Sequence, residues 1–279
     1  MIDRYAVIGN PIAHSKSPLI HGMFAAQTGQ DISYEAILAP LDGFAATVER
    51  LRKEGYKGCN VTVPFKFEAY ELVRELAERT PPAGAPTQRA TNARAANTLK
   101  FHENFIDGDN TDGTGLVRNI ERILGVSLHG KRILLIGAGG AAYGVALPLL
   151  LAEAHLFIAN RTPEKADQFA LHLGKLGHVV NVYNFPNEAD RKQFDLIINA
   201  TSAGLSNELP PLPADIFAPG ALAYDMMYGR ETPFMRFARE HGAQVADGLG
   251  MLVEQAAEAF YIWRGVRPDT APIIAALRT

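Results

Sequence analysis

Cysteine is almost missing from this chain. One residue in 279, Cys59, excludes an intrachain disulfide and is expected to serve as a small buried hydrophobe. Asp3 and Arg4 stand where a charged-then-apolar leader would begin, so the expected compartment is a reducing cytoplasm. An excess of charge of one sign is also lacking: 27 Lys and Arg against 30 Asp and Glu leave a net charge of −3. Nucleic acid and anionic membrane therefore find no broad basic field, and only local basic sites for a small anion remain. One uncharged run, Ile133 to Ala152, is long enough to span a bilayer. Gly137, Gly139 and Gly140 interrupt it and Pro148 follows, so it reads as strand, glycine turn and buried helix. His14 and His21 have no acid or cysteine at ligand spacing, and no metal is expected.

What is present is ordinary globular material, 47% hydrophobic and 20% charged, in a chain long enough for two domains. The first ~110 residues alternate short apolar runs with amphipathic ones, a βαβ rhythm that predicts a parallel or mostly parallel sheet in an α/β fold. "SPLIHGMFAAQTG" reads as a helix capped by Ser17, with Pro18 in its first turn and Gly29 as its stop. "FAATVERLRKEG" reads as a second helix with Phe44, Val48 and Leu51 on one stripe. Residues 80–93, rich in Pro, Ala and Thr without periodicity, are expected to form a loop. A second α/β unit starts near Lys131, with strands expected at 155–159, 179–183, 195–199 and 221–225. After Asp247 a long helix and a shorter one close the chain.

The string "GAGGAA", Gly137 to Ala142, follows an apolar strand and opens a helix. A pyrophosphate rests on free N–H groups at a helix N-terminus only if no side chain blocks its approach, hence Gly and Ala throughout the turn. Dinucleotide binding is the expectation. At the end of the next strand, Asn160, Arg161 and Thr162 stand where a ribose-binding carboxylate is usual. An acid there would repel a 2′-phosphate, whereas a guanidinium offers it a planar fork, so NADP is expected over NAD. Arg161 as a plain loop charge is the alternative.

Three strings in the first half carry polar groups open to two readings each. Ser15 and Ser17 sit at a helix mouth, suited to a small carboxylate or to simple capping. In "NVTVPFK" a strand ends at Pro64 and Lys66 follows where a helix begins, either a solvated charge or one held over a site. "DGDNTDG" supplies Asp107, Asp109 and Asp112; Arg118 at the twelfth position rules out a calcium loop, and the string alone does not choose the chemical aspartate.

Taken together in order, "GNPIAHSKSPLIH", "CNVTVPFK", "AANT", "DGDNTDG", "GAGGAA", "NRT", "NATSAG", "DMMY" and "DGLGMLVEQAAEAF" resemble the shikimate dehydrogenases over nearly the whole chain. The resemblance implies NADPH-dependent reduction of 3-dehydroshikimate to shikimate without a metal, by a monomer or homodimer. It also implies an N-terminal substrate domain (1–112, with 247–279 packing back on it) and a Rossmann NADP-binding domain (113–246). By the same resemblance, Lys66 and Asp112 form the catalytic pair and Ser15 and Ser17 hold the substrate carboxylate. Asn60, Thr62, Asn97, Tyr228 and Gln255 meet the other polar groups of the substrate. Gly137, Ala138, Gly139, Gly140, Ala141 and Ala142 lie at the pyrophosphate, Asn160, Arg161 and Thr162 at the 2′-phosphate, and Met226 and Gly248 near the nicotinamide. The chain departs from the family pattern at Arg94, in place of a glycine before "AANT", and at Gly22, Tyr143 and Gly229. A quinate or broad-specificity dehydrogenase, a methylene-folate type dehydrogenase and a catalytically silent metabolite sensor are the rival readings. The first would share the catalytic pair, the second matches none of the strings, and the third has no use for Lys66 and Asp112.

Overall fold

Short aliphatic runs separated by amphipathic ones build two separate sheets in the computed structural model, which describes residues 2–79, 84–185, 192–201 and 208–278. The residues up to Gly115 together with those from Val253 on make one compact unit, and Leu116–Leu252 make the other.

The first unit contains β1 (Asp3–Gly9), α1 (Ser17–Thr28), β2 (Ile32–Leu38), α2 (Phe44–Lys53), β3 (Gly58–Val61) and α3 (Lys66–Arg79). Next come α4 (Gln88–Ala93), β4 (Thr98–Phe101), β5 (Ile106–Asp109) and the start of α5 (Asp112–Arg118); from Leu116 on, α5 and the π-helical turn that continues it over Asn119–Ile123 belong to the second unit. The sheet order is β2-β1-β3-β4-β5. β1 runs parallel to β2 and β3, and β4 is antiparallel to both β3 and β5, so β4 alone is reversed and the sheet is mostly parallel, as expected. Only His102 to Phe105 join β4 to β5, which makes that pair a hairpin, since a parallel crossover needs a dozen residues or more.

Local chemistry sets the helix ends. α1 stops at Gly29, whose φ of 64° lets its N–H return to the Ala25 carbonyl. Its start differs from expectation: Ser17 is the first helical residue and not the cap, and its N–H bonds Ser15 Oγ at 3.3 Å, a hydroxyl turn spanning two residues. The stripe Phe44, Val48 and Leu51 of α2 is fully buried, with Phe44 stacked on Phe65 at 5.1 Å. Residues 88–93, expected as loop, form α4 because the Thr87 hydroxyl accepts the Ala90 N–H. Of the rest of that expected loop, 84–87 are outside any helix and 80–83 lie outside the described residues. Arg94 ends α4 at φ 48°, in the left-handed region where glycine costs nothing, which explains the glycine of the family pattern.

The second unit contains β6 (Arg132–Ile136), α6 (Gly140–Leu151), β7 (His155–Ala159), α7 (Pro163–Lys175), β8 (Asn181–Val182), β9 (Phe194–Asn199) and β10 (Phe217–Asp225). α8 (Pro233–Glu240) and β11 (Gln244–Ala246) complete it. All strands are parallel in the order β11-β10-β9-β6-β7-β8. Their buried aliphatic runs, covered on both faces, need no alternation. The order reverses between β6 and β9, the switch point where open α/β sheets bind their ligands, and the glycine turn leaves β6 there. Among the described residues no helix is long and apolar enough to cross a membrane.

α9 (Leu249–Arg264) and α10 (Ala271–Arg278) end the chain. Trp263 of α9 stacks on Tyr5 of β1 at 4.6 Å and donates its indole N–H to the Leu99 carbonyl at 3.1 Å. Gly58 is required beneath it, since a Cβ would stand 2.6 Å from the indole nitrogen. In the same cluster His21 is fully buried and stacked on Tyr34 at 4.1 Å. Burial pushes its pKa down to about 3, which the neighbouring Asn60 amide offsets only in part. Between pH ~6.5 and ~3 the unfolded chain binds a proton that the folded chain refuses, so stability falls on acidification through that window, by at most about 1.4 kcal/mol per pH unit. The urea midpoint should drop from pH 7 to pH 5 in the wild type, and His21→Leu should flatten that drop. An equal drop in both would remove His21 as its source.

Candidate active site

Lys66 opens α3 and Asp112 opens α5, and their side chains meet: Lys66 Nζ lies 2.5 Å from Asp112 Oδ2. Both are largely withdrawn from solvent, at 15% and 4% side-chain exposure, so each is the counter-charge the other needs. A carboxylate in the first turn of a helix is also favoured by the helix dipole. The second Asp112 oxygen accepts from Asn97 Nδ2 at 2.8 Å. The lysine therefore keeps ammonium hydrogens for a further acceptor, while the aspartate is held on both sides.

Asn97 is the hub. Its Nδ2 lies within 3.2 Å of Asp112 Oδ1, Thr111 Oγ1 and Gln255 Oε1, and it has only two hydrogens for these three acceptors. The conflict resolves if the Thr111 hydroxyl donates to Asn97 Oδ1 at 3.1 Å, leaving the amide hydrogens for Asp112 and Gln255. Asn97 Oδ1 also accepts from the Thr111 N–H and the Thr98 hydroxyl. Asn60, at the end of β3, donates to the Asn97 carbonyl and Thr98 Oγ1 and accepts from the Tyr34 hydroxyl at 2.8 Å. Asn110 fixes the approach to Asp112, accepting its N–H at 3.1 Å and donating to the Ala95 carbonyl. Tyr34, Thr98, Asn110 and Thr111 belong to this network yet were not singled out by their sequence strings. The only sequence signal of Thr98, Asn110 and Thr111 is nearness to Asn97 and Asp112, and Tyr34 has none.

The three acids of "DGDNTDG" are thus sorted by partner: Asp107 faces His102, Asp109 faces Arg89, and Asp112 faces Lys66. Ser15 and Ser17 are joined at the start of α1. Thr62 follows β3, half-buried, its N–H on the Ile8 carbonyl. Tyr228 belongs to the second unit, three residues after Asp225.

In that unit the glycine turn has the form a phosphate needs. Gly137 takes φ 119°, and Gly139 precedes α6 with no side-chain cap on the helix among the described residues. A Cβ on Gly139 would meet nothing within 4 Å, so its backbone is open to a close approach. Asn160, Arg161 and Thr162 join β7 to α7; Asn160 Nδ2 bonds the Thr162 carbonyl at 3.0 Å. The Arg161 guanidinium is 86% exposed, with Glu208 at 3.4 Å. Gly248 and Met226 are in contact, and a Cβ on Gly248 would fall 2.2 Å from the Met226 carbonyl oxygen. Asp225, fully buried, holds the start of that loop through the Met227 N–H, Thr232 hydroxyl and Asn199 amide, and its burial raises its pKa. Of the string "NATSAG", the part at 202–204 lies outside the described residues.

Residues 7–99 match the family described as shikimate dehydrogenase substrate binding domain, 118–206 match shikimate / quinate 5-dehydrogenase, and 248–278 match the shikimate 5′-dehydrogenase C-terminal domain. A shikimate dehydrogenase (NADP(+)) of Methylobacillus flagellatus is 60% identical over 99% of both chains. The chain belongs to the shikimate dehydrogenase family. Another relative in the family, from Nitrosospira multiformis, is 56% identical over all of this chain and 98% of its own. Among solved structures, shikimate 5-dehydrogenase from Thermus thermophilus in complex with NADP(H) and shikimate is 32% identical, with TM-score 0.85 and 99% of each chain covered. An Ael1 enzyme from Pseudomonas putida is 50% identical, with TM-score 0.88 over 99% of this chain and 98% of its own.

Proposed function

We propose that the protein is an NADP(H)-dependent shikimate dehydrogenase that reduces 3-dehydroshikimate to shikimate, with Lys66 and Asp112 handling the proton. The observation that carries this is the contact of Lys66 Nζ with Asp112 Oδ2 inside the network of Asn97 and Gln255. The nicotinamide, when bound, supplies the hydride to the carbonyl carbon. Lys66 gives a proton to the carbonyl oxygen as it becomes a hydroxyl, and in the oxidation direction takes it back. Asp112 keeps the amino group in place through the transfer, and Asn97 keeps Asp112 from turning away. Ser15 and Ser17 receive the substrate carboxylate, and Asn60, Thr62, Gln255 and Tyr228 meet its remaining polar groups.

The residues present fit the cofactor. The turn Gly137, Ala138, Gly139, Gly140, Ala141 and Ala142, open to a close approach at Gly139, would take the pyrophosphate, Asn160, Arg161 and Thr162 the 2′-phosphate, and Met226 and Gly248 would lie by the nicotinamide. A single buried, reduced thiol at Cys59 suits the cytoplasm, where a monomer or homodimer would work.

The test is substrate-dependent turnover with shikimate and quinate. NADP+-dependent oxidation of shikimate is expected, with little activity on quinate; comparable kcat/KM for quinate would overturn the substrate assignment. Replacing Ser15 and Ser17 together by alanine should raise KM for shikimate much more than it lowers kcat, because a carboxylate remote from the reacting carbon is bound about equally in ground and transition states. An unchanged KM would leave the two hydroxyls as parts of the α1 start and nothing more.

A further inference from the structure

An ion cluster centred on Arg89, a residue that no sequence string singled out, adjoins the Asp112 network. Arg89, on α4, bonds Asp109 at the end of β5 through two nitrogens, Nη2 to Oδ2 at 2.6 Å and Nε to Oδ1 at 3.0 Å. Its Nη1 bonds Glu258 Oε1 of α9 at 3.0 Å and reaches Thr114 Oγ1 of α5 at 3.3 Å. Both carboxylates are about nine-tenths buried. The other Glu258 oxygen is held by Arg267, whereas among the described residues Arg89 is the cation on Asp109.

What these carboxylates are attached to matters most. The Asp109 carbonyl accepts the Asn97 N–H at 2.9 Å, and its carboxylate accepts from the Thr87 hydroxyl and the Asn110 N–H. Asp109 is therefore the anchor of the turn that leads to Asp112. Glu258 follows Gln255 by three residues on α9, which places the two on one helix face. The Arg89 fork thus ties the root of Asn97 and the approach to Asp112 to the helix that presents Gln255.

We propose that Arg89 is a positioning residue for the reaction. By fixing α9 against the β5 end it sets the Asn97 to Gln255 contact, and through Asn97 the orientation of Asp112 toward Lys66. The geometry calls for a planar fork with donors in several directions, which a lysine's compact ammonium does not supply. This rests on the reading of Lys66 and Asp112 as the proton-transfer pair.

The experiment is steady-state shikimate oxidation by the full chain, run well below the unfolding midpoint of each variant. Arg89→Lys should lower kcat by roughly 10–100-fold, the scale of a misplacement near 1 Å, and leave KM for NADP+ within about twofold. Added to Lys66→Ala it should cost little more, because it acts through the same pair. Glu258→Gln, which keeps an acceptor for Arg89, should show a smaller loss in the same direction and serves if Arg89→Lys does not fold. If Arg89→Lys lowers only the melting temperature, with kcat and KM for shikimate unchanged, or if its effect multiplies with that of Lys66→Ala, the proposal is overturned. Wild-type turnover by Lys66→Ala, whatever Arg89→Lys does, would instead overturn the underlying reading of the pair.

Discussion

Lys66→Ala lowers kcat for shikimate oxidation by roughly 10²–10⁴ and leaves the fold intact, the range for loss of a positioned proton donor. Asp112→Asn falls in the same range for a different reason. The amide still accepts from Asn97 through its oxygen, which turns its NH2 toward the lysine ammonium, donor against donor, at a position where Nζ now lies 2.5 Å from an anion. Lys66 then loses its orientation and its counter-charge together. Since both residues serve one proton transfer, the double variant should be no slower than about the slower single variant. The measurement is kcat in all four proteins, with circular dichroism to establish folding. Multiplying effects would separate the two roles, and near wild-type turnover in Lys66→Ala would make the lysine a structural ion pair, with the chemistry elsewhere.

Arg161→Ala costs roughly 10–100-fold in NADP+ affinity and leaves NAD+ almost untouched. A guanidinium on a phosphate makes charge-assisted hydrogen bonds worth on the order of 1.5–3 kcal/mol each, and NAD+ has no phosphate at that position. Arg161 faces solvent, and its contact with Glu208 is an exposed pair of the kind that contributes little, so the guanidinium is available to a stronger anion. Asn160→Asp should go further, repelling the phosphate and offering the NAD ribose an acceptor, so that the two changes together narrow or invert the preference. The comparison is kcat/KM for both cofactors at one ionic strength, because salt weakens an exposed phosphate contact. Equal losses for both cofactors, or a wild type that already prefers NAD+, would end the assignment of this loop to the 2′-phosphate.

The parts of the fold legible in the sequence are those set by local chemistry. Apolar Ile133 to Ile136, the glycine turn and the apolar run to Leu151 became β6, turn and α6, and Gly29 stopped α1. The parts that were not legible depend on partners distant in sequence. α4 has no apolar period; it exists because Thr87 caps it and Arg89 is held by Asp109 and Glu258. Choosing among Asp107, Asp109 and Asp112 needed their partners, which come from three different places: His102 beside β4, Arg89 on α4 and Lys66 on α3. At the site, the motif residues Lys66, Asn97, Asp112 and Gln255 come together, but Thr98, Asn110 and Thr111 carry no spacing signal and emerge only from the hydrogen bonds.

The first unit is discontinuous in sequence, and this orders events on the ribosome. Asn97 and its partner Gln255 are 158 residues apart, and the indole that bonds the Leu99 carbonyl is 164 residues from it. At a synthesis rate of about 5–20 residues per second, β1 to β5 wait roughly 10–30 s for the helix that covers them. Through that interval Tyr5, His21 and Tyr34 lack the ring of Trp263, and Asn97 lacks the amide of Gln255. The nascent chain carries an uncovered aromatic face while the whole of Leu116–Leu252 is made, and that is the stage at which a chaperone's protection is of most use.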